Sequence, residues 1–135
     1  MIDQVSDGDR IIAIIIRNSH SDNGITFFTP ADFSQQLAYM KRPAGYEISP
    51  HIHKKVDRNV RLTQEVLFVK KGRVKVNLYT NERKFLQSAI LTGGDVVLLA
   101  SGGHGFEILD DTEMFEVKQG PYLGEGDKER FEPKE

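Results

Sequence analysis

Residues 45–53 read GYEISPHIH, and the two histidines that close the stretch, His51 and His53, decide how the rest of the chain is read. An extended strand rises about 3.3 Å per residue and alternates its side chains between faces, so residues 51 and 53 project together, about 6.6 Å apart at Cα. Both imidazoles then reach one metal ion. The same parity sets Gly45, Glu47, Ser49, His51 and His53 on one face, with Tyr46, Ile48 and Ile52 on the other. The histidine face is therefore the polar one, as a ligand cavity requires. Of the chain's four histidines only His20 stands apart, because His104 follows a glycine-rich turn, Ser101-Gly102-Gly103. Glu65 opens the next strand, with Leu67 and Val69 deeper on its face.

Outward from this stretch the chain reads as short strands between glycine, proline and asparagine turns. Ile11 to Ile16 is β-branched without polar alternation, the pattern of a strand covered on both faces. The turn formers Asn18 to Gly24 join it to Ile25 to Phe28, so residues 10 to 28 read as an N-terminal hairpin. Asp32-Phe33-Ser34 is a short turn or helical element. Further strands follow at Gln36 to Lys41, Gly45 to His53, Glu65 to Lys70, Arg73 to Tyr79, Phe85 to Leu91, Val96 to Ala100, His104 to Leu109 and Glu113 to Gln119. The reading is all-β, a sandwich or a small closed barrel. Residues 1–30 are expected to pack on the barrel or on a dimer partner, residues 31–119 to form the barrel, and residues 120–135 to be a charged arm anchored through Pro121-Tyr122 or Phe131.

Composition removes several function classes. A chain of 135 residues builds one core without staples. Eighteen basic against twenty acidic residues leave a formal charge of -2, so neither nucleic acid nor an anionic membrane is an expected partner. The absence of cysteine excludes disulfides, thiolate ligands, iron–sulfur clusters and a cysteine nucleophile. A metal here rests on nitrogen and oxygen. The start carries three aspartates and no basic segment, and the isoleucine run is too short for a signal core or a membrane span, so the expected location is the cytoplasm.

These residues resemble the cupin superfamily of double-stranded β-helix, or jelly-roll, barrels. Gly45, His51, His53, Glu65 and Gly72 match its first motif, and Gly94, Gly102 and His104 match its second more loosely. Eleven residues separate His53 from Glu65 where the family has three or four, so Lys54 to Gln64 reads as an inserted loop. Ala100 stands at the family's proline and Ile108 at its asparagine. The resemblance implies a metal held by His51, His53, Glu65 and His104. Three imidazoles and a carboxylate suit divalent Fe, Mn, Ni, Cu or Zn.

An open metal in a barrel suits isomerase or epimerase chemistry, for which Glu47, Glu116 and Tyr122 are the candidate proton carriers. Lys54, Lys55, Arg58 and Arg61, with Lys41 and Arg42 before them, are candidate contacts for an anionic substrate such as a sugar phosphate or nucleotide sugar. A cupin dioxygenase using Fe(II) and a non-catalytic binding module are the alternatives. The isoleucine run points to a homodimer, with burial inside a sandwich as the competing explanation.

Overall fold

A computed structural model describes residues 2–133, which form ten β-strands and no helix. The chain divides into two compact units, Met1–His20 with Leu62–Glu135, and Ser21–Arg61. The first is a β-sandwich. One sheet runs β1 (Ile2–Asp7), β2 (Arg10–Ile16), β8 (Val96–Leu99), β5 (Glu65–Lys71), β10 (Glu113–Lys118) in spatial order, antiparallel throughout. Facing it is a three-stranded sheet in the order β7 (Phe85–Thr92), β6 (Arg73–Tyr79), β9 (Gly103–Ile108).

Strict alternation produces the core between these sheets. Leu67 and Val69 on β5 point inward, as do Val74, Val76 and Leu78 on β6, and they meet Ala13, Ile15, Val97, Leu99 and Leu91 in one buried cluster, while Glu65 is buried on the same face of β5. Each such side chain contributes about 1.5–3 kcal/mol when fully buried. Gly72 joins β5 to β6 with φ 106°, and a Cβ there would collide with the backbone of Asp111 and Thr112. The hairpin therefore needs glycine at this position.

A buried carboxylate fixes the place where the chain leaves the sandwich. Asp95, 3% exposed, accepts hydrogen bonds from the amides of Asn18 and Thr92, both at 2.8 Å, and from Arg17 Nη1 at 3.2 Å. At the other end Phe131 packs edge-on against Tyr79, with ring centroids 5.3 Å apart, and lies under the Arg83 guanidinium. The C-terminal arm is thus anchored at Phe131, one of the two expected positions. Among the described residues no helix is long and apolar enough to cross a membrane.

Three expectations are corrected. Residues 10 to 28 do not form a hairpin: β2 pairs with β1 through the turn at Gly8, φ 59°, whereas β3 (Gly24–Phe27) pairs with β4 (Ala38–Lys41) in the second unit. β1 was hidden because only Val5 of its six residues is fully buried, so its sequence lacks an apolar face. Gly45 to His53 is not a strand, and residues 42–64 contain none. Alternation prepares a strand, but a ladder partner makes one, and Pro43 and Pro50 each remove a donor. Last, the isoleucine run is covered within one chain: Ala13 and Ile15 join the core, and Ile14 and Ile16 on the opposite face are buried too. It calls for no second copy.

Candidate metal and acid–base site

The expected site residues fall into two groups, one in each unit. In the sandwich, Glu65 begins β5 and His104 lies near the start of β9, so the two come from opposite sheets. Glu65 Oε2 and His104 Nε2 are 3.7 Å apart. That is long for a hydrogen bond. Two ligand atoms each about 2.0–2.2 Å from one ion lie roughly 3.0–3.5 Å apart, depending on coordination angle. The pair is therefore spaced a few tenths of an ångström wider than two ligands of one ion.

Glu116 completes this cluster. On β10 it pairs with Leu67, and Lys118 pairs with Glu65, so Glu116 is the diagonal neighbour of Glu65 on the same face. Burial pushes the Glu65 carboxyl above its ordinary value; a hydrogen bond to Glu116 and that residue's negative charge push it further, against opposing Lys118 and Lys128. Burial likewise holds the His104 imidazole below its ordinary value, with Lys128 adding to this and Glu116 opposing it. The ring is kept neutral, the state that ligates metal or accepts a proton. The side chains of Glu65 and Glu116 are thus close enough to hydrogen-bond across the β5–β10 ladder.

The second unit carries the histidine pair. The rings of His51 and His53 lie edge to face, centroids 5.3 Å apart. His51 Nδ1 donates to the carbonyl of Ser49 at 2.9 Å. The Ser49 carbonyl thereby fixes the orientation of the His51 ring. With the strand unformed, Glu47 no longer shares a regular face with the histidines. Lys54, Lys55, Arg58 and Arg61 are exposed in the same irregular segment, and Tyr122 is 83% exposed beyond β10. Also in this unit, Asn23, Gly24, Lys41, Arg42, Pro43 and Tyr46 line a shallow groove of about 500 Å³, with the Arg42 guanidinium 4.5 Å from the Tyr46 ring centroid.

Among the described residues no three histidine, aspartate or glutamate side chains are grouped so as to hold a metal ion. The four expected ligands are thus found as two pairs, one in each unit. Sequence reading missed Lys118 and Lys128, whose charges oppose the rise of the Glu65 carboxyl. Lys118 was recoverable, because it stands two residues after Glu116 on the same strand face; Lys128, in the tail, carried no signal. Also missed was Gln64, 4% exposed, whose backbone amide donates to Gln119 Oε1 at 2.7 Å and pins the entry to β5. No family model, curated protein or solved structure matches this chain.

Proposed function

We propose that this protein is a metal-binding cupin that isomerises or epimerises a small, polar, anionic metabolite of carbohydrate type. The observation that carries the reading is the Glu65–Glu116–His104 cluster. Glu65 and His104 meet between the two sheets, where burial raises the carboxyl and lowers the imidazole from their ordinary values, with Glu116 beside them on the β5 face. His104 and Glu65 would hold a divalent metal, with His51 and His53 supplying the remaining imidazoles. When bound, the metal supplies a Lewis acid that polarises a substrate oxygen.

The chain's own residues supply the proton chemistry. Glu116, exposed beside buried Glu65, would take a proton from a carbon next to a carbonyl and return it on a neighbouring atom, whereas inversion at one carbon would need a second proton carrier on the opposite face. Lys118 and Lys128 place positive charge beside the cluster, which suits a phosphate or nucleotide-linked sugar. These polar neighbours do not favour the dioxygenase reading, which calls for an apolar pocket.

The test is proton exchange in D2O. Metal-loaded protein is incubated with keto-sugar phosphates and nucleotide-linked keto sugars, and deuterium entry beside the carbonyl is followed by NMR. The wild type is expected to exchange one position, and Glu116→Gln to lose exchange while retaining metal. Absence of exchange across both substrate classes, with metal bound, overturns the enzymatic reading and leaves a binding module.

A further inference from the structure

The 21–61 unit has a chemistry of its own at the end of the β3–β4 ladder. Gly24 pairs with Lys41, and beyond Lys41 the chain turns over residues 43–46, where the Tyr46 amide donates to the Pro43 carbonyl at 3.2 Å and Gly45 has φ 88°. Glycine takes that left-handed conformation without strain. The turn brings the Tyr46 ring back under Arg42, whose guanidinium carbon lies 4.5 Å from the ring centroid. On its other flank Arg42 Nη1 comes 3.7 Å from where a Cβ would stand on Gly24. The guanidinium is thus held between an aromatic face and bare backbone. Lys41, whose Nζ donates to Ser21 Oγ at 3.3 Å, lines the same groove of about 500 Å³.

Neither cation is neutralised. Among the described residues no carboxylate forms an ion pair with Lys41 or Arg42. No acidic side chain lines the groove, and neighbouring Asp22 turns its Oδ1 onto the Asn23 amide at 2.9 Å. Residues 41–61 carry six basic and two acidic side chains, so the surrounding potential is positive as well. An arginine already held by stacking gives up less rotamer freedom on binding, and its planar fork matches two oxygens of one anion.

We propose that this groove is a phosphate site, separate from the Glu65–His104 cluster, that takes the phosphate of a small phosphomonoester. Arg42 contacts two of its oxygens and Lys41 a third. At neutral pH a phosphomonoester carries close to two negative charges, enough to balance both cations, whereas a carboxylate balances one. Pro43 and the half-exposed Tyr46 ring receive the group that bears the phosphate. The site is complete within residues 21–46, inside one compact unit, and rests on neither the metal nor the isomerase reading.

The test is an NMR titration of the full 135-residue chain, its backbone amides followed as inorganic phosphate and then glucose 6-phosphate are added. Saturable shifts confined to residues 21–24 and 41–46 are expected, with glucose 6-phosphate the tighter of the two. Arg42→Gln should weaken binding roughly tenfold or more, the worth of hydrogen bonds to a charged group. Tyr46→Leu keeps both cations and should weaken it about two- to fivefold, the worth of an exposed cation–π contact. Lys70→Gln, which removes one exposed charge from the sandwich, should leave the affinity within about twofold. All three side chains are exposed, so the variants are expected to fold, and the dispersion of the sandwich amides checks this.

Shifts that never saturate, or that chloride at the same ionic strength reproduces, overturn the site, as does unchanged affinity in Arg42→Gln. Equal affinities for the two probes overturn the choice of a phosphomonoester over the free ion. The metal content of the same preparation is read separately, so failure of this site and failure of the metal reading are distinguishable.

Discussion

Replacing Asp95 by Asn is expected to lower stability by about 2–4 kcal/mol, a figure that follows from its four donors, the weakest of them the Thr92 hydroxyl at 3.4 Å. Oδ1 takes the amide of Asn18, and Oδ2 takes the amide of Thr92 and Arg17 Nη1. An asparagine offers one oxygen, and its amino group must face N–H donors whichever way it turns. Hydrogen bonds to charged groups contribute about 1.5–3 kcal/mol each, and an orphaned buried donor costs about 1–3. For a chain of this length the loss corresponds to a fall in Tm of roughly 5–15 °C.

The pH dependence supplies a second signature. Burial pushes the Asp95 carboxyl up, but the amides of Thr92 and Asn18 and the Arg17 guanidinium more than offset it, leaving it below its ordinary 3.8. A depressed carboxylate contributes stability that is complete above the unfolded value and lost as pH falls through the folded one. Urea unfolding of the two proteins should therefore show a constant gap between pH 7 and about pH 5 that closes below about pH 4. A gap under about 0.5 kcal/mol, or one that persists unchanged in acid, refutes the reasoning.

Gly102→Ala should cost at least about 2 kcal/mol in the same assay, because φ is +70° and the new Cβ would strike the Tyr79 carbonyl and Ile12, whereas Gly105→Ala, with nothing within 4 Å, should lie within about 0.5. Glu65→Gln should raise the Tm of chelator-treated protein at pH 8. The raised carboxyl is a stability deficit, present above its folded value and relieved as pH falls toward the ordinary 4.5, so the advantage should vanish in acid. Phe131→Ala should cost about 1–2 kcal/mol and expose Lys128 and Arg130 to faster tryptic cleavage, since it removes the ring between Tyr79 and Arg83.

The sandwich strands were legible because their alternation coincides with pairing. β5 to β10 start and end within a residue or two of the sequence reading, and Glu65, Leu67 and Val69 share the buried face that parity assigns them. His104 does open a strand after its glycine turn. The histidine stretch was misread, since its alternation suggests a strand but GYEISPHIH has no ladder partner and carries Pro50. The N-terminal pairing failed for a related reason: turn formers at Asn18 to Gly24 mark a break in the chain, and the same residues serve a hairpin or an exit. Glu116 was named as a candidate proton carrier, but its place beside Glu65 depends on the β5–β10 register, which no local pattern encodes.

The central claim is that His51, His53, Glu65 and His104 together bind one divalent transition metal. Its most direct test is metal analysis of protein purified without a chelating tag, wild type beside His51→Ala/His53→Ala and His104→Ala. The account predicts about one metal per chain in the wild type and its loss from both variants. Equal metal in all three, or a wild type that takes up none after exposure to Fe(II), Mn(II), Ni(II), Cu(II) and Zn(II), contradicts it.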